Sequence, residues 1–246
     1  MPNPRFYCPT LLATGDTVRL SANAAAHASR ALRLQAGDAV VLFNGDGIDY
    51  QCKLISVTKA VVEAEILTAH RNNSESPLKV TLAQAISAGD RMDFTIQKAV
   101  EIGVNAIQPI ASQRSVVKLS GERADKRREH WQNVVISACE QSGRAVVPEV
   151  AAATSLVNWL ALAPHYSTRI TLSPTATQTL QDLAPPPGRI CLLVGCEGGL
   201  TEEEIDIAAS QDFIAVRLGK RVLRTETAAL AALAAMQLLW GDYGVS

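Results

Sequence analysis

A polar segment, His70-Arg71-Asn72-Asn73-Ser74-Glu75-Ser76-Pro77, separates two stretches whose apolar residues recur with different periods. Before it the runs are short and mostly of period two. After it, runs that suit strands alternate with runs that suit helices. The segment is polar and closed by proline, the composition of a linker. A boundary is expected there, with one domain over residues 1–72 and another over 73–246. The 246 residues, 48% hydrophobic and 19% charged, supply enough apolar material for both cores.

In the first stretch, strands are expected over Asp16 to Leu20, Ala39 to Phe43, Tyr50 to Val57 and Ala60 to Leu67. Asn44-Gly45-Asp46-Gly47 tolerates positive φ and reads as a hairpin tip. A helix is expected from Ser21 to Leu34, with Ala24, His27, Ala28, Ala31 and Leu32 at helical spacing, before a turn at Gly37-Asp38. A small β-barrel with one helix fits.

Beyond the linker, the pattern predicts a strand over Val80 to Ile86, a helix over Asp90 to Ile102 closed by Gly103, and a strand over Val104 to Ile110. A long helix follows over Arg123 to Gly143, with Trp131, Val134, Val135, Ala138 and Cys139 on one face. Strands are then expected at Ile170 to Leu172, Ile190 to Val194 and Phe213 to Leu218. The last helix, Thr225 to Trp240, is apolar on nearly every face and is expected to be buried. Strands alternating with helices argue an α/β domain around a parallel sheet.

Charge and motifs exclude several chemistries. With 23 Lys plus Arg against 24 Asp plus Glu, nucleic-acid binding needs a local basic face. The start lacks a secretory h-region, and no apolar run approaches the ~20 residues of a membrane span, so a soluble chain without a membrane partner is expected. The five cysteines form no C-x-x-C pair, which suits free thiols in a reducing cytoplasm. The four histidines are far apart, and no metal is expected. There is no G-x-G-x-x-G, Walker A, G-x-S-x-G or H-E-x-x-H motif. A ligand without phosphates, held by glycine-rich backbone, remains open.

Ligands of open α/β sheets bind beyond the carboxyl ends of the strands, so the loops after the two late strands are the places to search. One is Gly195-Cys196-Glu197-Gly198-Gly199, whose glycines let a flat ligand approach the backbone. Thr201 and Glu204 after it form a capping box, with Leu200 and Ile205 as a hydrophobic staple. The other, Leu218 to Thr227, places Lys220, Arg221 and Arg224 between a strand and a helix both expected to be buried, where charge is costly unless it meets a ligand, a partner or water. Elsewhere, Arg123, Lys126, Arg127 and Arg128 open the long helix beside acidic residues. Arg30 and Arg33 stand three apart on one expected helical face and are the better phosphate contacts.

The chain resembles the bacterial small-subunit (16S) ribosomal RNA uracil-N3 methyltransferases of the RsmE type, in the SPOUT class that uses S-adenosylmethionine (SAM). The resemblance spans nearly the whole chain. It rests on His27 with Arg30-Ala31-Leu32-Arg33, Gly37-Asp38, Leu42-Phe43-Asn44-Gly45, Gln97-Lys98 and Glu101-Ile102-Gly103-Val104. It continues with Ala138-Cys139-Glu140-Gln141-Ser142-Gly143-Arg144, Gly195 to Gly199, and Val222-Leu223-Arg224-Thr225-Glu226-Thr227-Ala228. Cys196 and Lys220 stand where prolines are usual, and Gln113 where Glu is common before Arg114. Without the prolines those turns are less constrained.

The resemblance implies an N-terminal PUA-like β-barrel that helps hold RNA and a C-terminal SPOUT domain whose late segments form a trefoil knot around SAM. It also implies a cytoplasmic homodimer acting on ribosomal RNA in the small subunit. The cofactor-binding residues it suggests are Leu172, Gly195, Glu197, Gly198, Gly199, Leu218, Gly219, Val222, Leu223, Arg224, Thr225 and Thr227. RNA contacts are expected at Arg5, Arg30, Arg33, Arg114 and Arg144. Methylation of uracil N3 requires loss of its proton, with charge spreading to the carbonyl oxygens. Arg224 is the expected stabiliser of that charge, and Glu197 or Glu226 the expected acceptor of the proton. Three rivals are a SPOUT ribose 2′-O-methyltransferase, an RNA-binding assembly factor without activity, and an NAD-type oxidoreductase, which the missing G-x-G-x-x-G disfavours.

Overall fold

The structure, a computed structural model, describes residues 3–58, 61–117, 120–162 and 165–244. It divides into two compact units, Met1–Glu75 with Ile136–Val147, and Ser76–Val135 with Pro148–Ser246. A single cut after residue 72 therefore misses the return of 136–147 to the first unit.

The first unit contains β1 (Arg5–Tyr7), β2 (Thr17–Arg19), α1 (Ala22–Ala26), β3 (Ala39–Phe43), β4 (Ile48–Val57) and β5 (Val62–Arg71). The strands form one sheet in the order β1-β3-β4-β5-β2. Alternation sends Val40 and Leu42 of β3, Leu54 of β4, and Val62, Ala64 and Ile66 of β5 into one core with Ala24, Ala25 and Ala28. The hairpin tip has Gly45 at φ 101° and Gly47 at φ 85°, as its sequence requires. Ala60, the expected start of the last strand, lies outside the described residues. That strand runs on to Arg71, paired with Ile48, so it absorbs the first residues of the polar segment.

The expected helix from Ser21 to Leu34 is broken. Ser21 caps α1 by accepting from the Ala24 N–H at 3.2 Å, but α1 lasts five residues and passes into a π-helical turn, His27–Ala31. The Leu32 N–H reaches back to the His27 carbonyl, and Arg33 adopts φ 54°. Arg30 and Arg33 are both exposed, yet they do not share a regular helical face. Wide turns of this kind recur at functional sites.

The returning segment is the end of the long helix α3 (Glu122–Ser142) and the residues after it. Glu140 accepts from the Tyr7 N–H at 3.0 Å, and Asn72 Nδ2 donates to the Gly143 carbonyl at 3.0 Å. Arg144, 3% exposed, is held bidentately by Glu75 at 2.9 and 2.6 Å. Arg5 meets Asp49 in the same way, at 2.8 Å on each arm. Burial disfavours the Asp49 anion, but hydrogen bonds from Arg5 and Asn72 outweigh it and hold the carboxyl below its ordinary range. The Arg144 guanidinium is thus turned inward, which corrects its expected role on RNA. Arg5 is half-buried and engaged by its own carboxylate.

The second unit contains β6 (Val80–Ala85), α2 (Arg91–Glu101), β7 (Ala106–Ala111), most of α3, β8 (Glu149–Val150), β9 (Thr154–Ser155), α4 (Leu156–Leu162), β10 (Thr168–Leu172), β11 (Ile190–Val194), α5 (Glu202–Ser210), β12 (Phe213–Val216) and α6 (Thr225–Trp240). The sheet order is β12-β10-β11-β6-β7-β8, with β9 also on β7, and every pairing is parallel. The α4 and α5 helices cover one face, with Trp159, Leu160 and Ala208 against Ala83, Cys191 and Leu193. The α2 helix packs along α6.

The last helix is not buried throughout. Ala229, Ala232, Leu233 and Met236 turn inward, while Leu238 is 63% and Leu239 39% exposed. Apolar composition on all sides gives a helix no preferred inner face, and this chain covers only part of it. Among the described residues, no helix is long and apolar enough to cross a membrane.

Gln237 of α6 fastens the start of the unit to its first helix. Its Oε1 accepts from Ser76 Oγ at 2.7 Å, and its Nε2 donates to the Ile102 carbonyl at 2.9 Å. Gly103 sits at φ 97°, where an added Cβ would lie 2.8 Å from that same Nε2. Gly103→Ala combines left-handed backbone strain with displacement of a buried amide. It should lower stability by on the order of 2 kcal/mol in urea unfolding. An unchanged midpoint would mean that Gln237 yields freely.

Candidate active site

The parallel sheet brings the carboxyl ends of β10, β11 and β12 side by side, so three loops leave from one edge. After β11, the Gly199 N–H donates to the Cys196 carbonyl at 2.9 Å and Gly199 adopts φ 70°, which folds the loop back upon itself. Gly195 permits this close approach. A Cβ there would lie 2.9 Å from the Gly199 carbonyl carbon and from the Leu200 nitrogen. Thr201 then starts α5 through the expected capping box with Glu204, and Leu200 packs in the same core as Ile205.

The loop after β12 turns at Gly219, φ 86°, and ends at Arg224, the residue before α6. Lys220, Arg221 and Arg224 are exposed. Of the ligand, partner or water expected to meet these charges, water does so here, and no desolvation cost demands a partner within the protein. Arg221 and Arg224 border the cleft described below, and Lys220 does not.

Thr225 ties the two loops together. Its hydroxyl donates to the Gly195 carbonyl at 2.6 Å and accepts from Gln84 Nε2 at 2.9 Å. Gln84, fully buried on β6, went unnoticed in the sequence. The available signal was one amide in an otherwise apolar strand end, Leu82-Ala83-Gln84-Ala85-Ile86.

These loops and the segment after β10 enclose a cleft of about 720 Å³, within the range of small-ligand sites. Its wall combines Leu172, Val194, Leu200, Val216 and Leu223 with the backbone of the glycine loop. Leu172, Gly195, Glu197, Gly198, Gly199, Leu218, Gly219, Val222, Leu223, Arg224 and Thr225 all border it. Thr227 does not; it is exposed on α6 between Glu226 and Ala228, which both border the cleft. Ser173, at the strand end expected to join the cofactor loops with Leu172, borders the cleft too, as do Arg91, Arg114, Pro174 and Thr175, which were not among the cofactor residues expected from the sequence.

The two expected proton acceptors differ in their surroundings. Glu197 Oε1 accepts from the Ala88 N–H at 3.0 Å and from Arg91 Nη1 at 2.9 Å. Burial raises its pKa, but these hydrogen bonds and the Arg91 charge win, leaving the carboxyl below its ordinary value. Such a group stays ionised and is a weak base. Glu226 borders the same cleft, and its Oε2 is buried without a hydrogen-bond partner. That oxygen is shielded from solvent and keeps a lone pair with no donor on it.

The arrangement fits a sulfonium nucleoside. Apolar walls suit a flat base, close-packed backbone suits polar ring edges, and carboxylates at Glu197, Glu202 and Glu226 suit a cationic centre.

Comparison with known proteins gives the same direction. The profile of an RNA methyltransferase domain matches residues 74–237, and that of an RNA methyltransferase PUA domain matches residues 20–67. A crystal structure of ribosomal RNA small subunit methyltransferase E from Neisseria gonorrhoeae, bound to S-adenosylmethionine, is 48% identical. It superposes with a TM-score of 0.92 over 98% of this chain and 100% of that one. A methyltransferase from Legionella pneumophila, in complex with SAM, is 37% identical with a TM-score of 0.95 over the same shares. Ribosomal RNA small subunit methyltransferase E of Buchnera aphidicola subsp. Schizaphis graminum is 35% identical over 97% of each chain. By family profiles, sequence and fold, the chain belongs to the ribosomal RNA small subunit methyltransferase E family.

Proposed function

We propose that the protein methylates N3 of a uridine in small-subunit (16S) ribosomal RNA with SAM as donor, in the cytoplasm and as a homodimer. The observation that carries this reading is the convergence of the glycine loop and the arginine loop on one cleft, joined through Thr225. SAM binding by family members of known structure supports the cofactor. The trefoil knot belongs to the same proposal, as the path that brings both loops to one strand edge.

When bound, SAM supplies an electrophilic methyl carbon on sulfur. The chain's part is to orient the acceptor nitrogen, exclude water and manage one proton. Arg224, at the mouth of the cleft, holds a permanent positive charge near the uracil carbonyls and stabilises the negative charge left when N3 loses its proton. Glu226, which borders the same cleft, receives that proton on its carboxylate. Glu197 serves instead as a brace between the glycine loop and the start of α2.

Radiolabelled methyl transfer to unmodified small subunits, followed by mapping of the methyl, tests the assignment. Arg224→Ala should slow transfer by about 10² to 10³ while changing SAM affinity far less. Glu226→Gln should slow it by at least roughly 10², and more than Glu197→Gln does. A methyl on a ribose oxygen would transfer the reading to the 2′-O class, and an intact rate in Arg224→Ala would remove its role.

RNA recognition is assigned to Arg30 and Arg33, exposed around the π-helical turn. Arg30→Ala should reduce the slope of log affinity against log salt by about one. An unaltered slope would take Arg30 off the phosphates.

The exposed stripe of α6, with Leu238, Leu239 and the nearby Tyr243 at 53% exposure, is assigned to the second copy. Such a surface on a monomer calls for a partner. Leu238→Asp should convert the dimer to monomer in light scattering; a variant of unchanged mass would place the interface elsewhere.

A further inference from the structure

Glu204 is 2% exposed, an unusual depth for a carboxylate in the first turn of a helix. A capping box employs one of its oxygens, and Oε2 does accept from the Thr201 N–H at 2.9 Å. The other oxygen does something the box does not need. Oε1 accepts at 2.8 Å from the N–H of Gln113, in the loop after β7 and 91 residues earlier in the chain.

The residue after Gln113 lies on the cleft. Arg114 Nη1 donates to the Gly198 carbonyl at 2.8 Å and to the Leu200 carbonyl at 3.1 Å, so one nitrogen straddles Gly199 in its left-handed conformation. The arginine stem rests on Gly198, where an added Cβ would come within 3.2 Å of the Arg114 Cβ. The glycine loop is therefore clamped by a side chain whose preceding residue is held by Glu204.

We propose that Glu204 is a positioning residue for cofactor binding: through the Gln113 backbone it sets Arg114 where its guanidinium fixes the Gly198 and Leu200 carbonyls, and with them one wall of the cleft. The proposal rests on the SAM reading above and assigns Arg114 to the cofactor loop rather than to RNA. A carboxylate is needed because it offers two acceptors. A glutamine at 204 turns its NH₂ toward one of the two backbone N–H groups and leaves that buried donor without a partner.

Calorimetric titration of SAM into the full chain, Glu204→Gln, Arg114→Ala and the double variant tests this. Each single variant should bind SAM roughly tenfold more weakly. The double variant should be within about twofold of the weaker single, because both changes release the same clamp. A loss of roughly a hundredfold in the double variant, or SAM affinity untouched by Glu204→Gln, would overturn the proposal. If Glu204→Gln does not fold, Glu204→Asp serves in its place: it keeps the charge and the Thr201 bond but withdraws from Gln113, and the same weakening is expected. The salt slope of RNA binding should be unchanged in Arg114→Ala; a slope lowered by about one returns Arg114 to the phosphates. Failure of the unaltered chain to bind SAM would sink the cofactor reading itself, a result distinct from all of these.

Discussion

The Thr225 hydroxyl joins three segments that are remote in sequence: it donates to the carbonyl of Gly195 and accepts from the amide of Gln84. The cleft depends on that junction. It holds the loop after β11 against the first residue of α6, at the strand edge where the sheet has already gathered both. Burial strengthens the junction, since hydrogen bonds gain strength where water is excluded and their loss leaves unpaired polar groups.

Around this neutral centre the charges are sorted by solvation. Arg221 and Arg224 stand in water at the rim, whereas Glu226 keeps one oxygen dry and unpartnered. A solvated cation can meet a flexible polyanion without first giving up a protein partner. A dry carboxylate oxygen is oriented before any ligand arrives. The same chain uses the opposite arrangement in its first unit, where Arg144 is enclosed with Glu75 and serves architecture.

Much of this was legible in the residues. The strand at Ala39–Phe43 follows from a short apolar run rich in β-branched and aromatic residues, the helix at Thr225–Trp240 from apolar length, and the start of α5 from a capping box that depends on four neighbouring residues. The glycine loop could be placed because its composition has few other uses. What could not be read is equally physical. The π-helical turn at His27–Ala31 leaves the periodicity of the sequence nearly intact while moving Arg33 off the helix. The inward turn of Arg144 depends on Glu75, 69 residues away, and Gln84 acts through Thr225, 141 residues away. No local pattern encodes a partner at that distance. The open stripe on α6 escapes prediction for another reason: hydropathy reports a wish to be covered and not which surface does the covering.

The return of Ile136–Val147 to the first unit bears on how the chain is made. Translation delivers the amino-terminal strands first, and domains commonly begin to fold as they emerge. Here the ion pair to Glu75 and the carboxylate that receives the Tyr7 N–H are supplied by Arg144 and Glu140, which leave the ribosome only after β6, α2 and β7. The nascent sheet must wait, incompletely braced, while the opening strands of the catalytic unit are synthesised. Completion of the first unit is thereby timed to the presence of the segment that follows it.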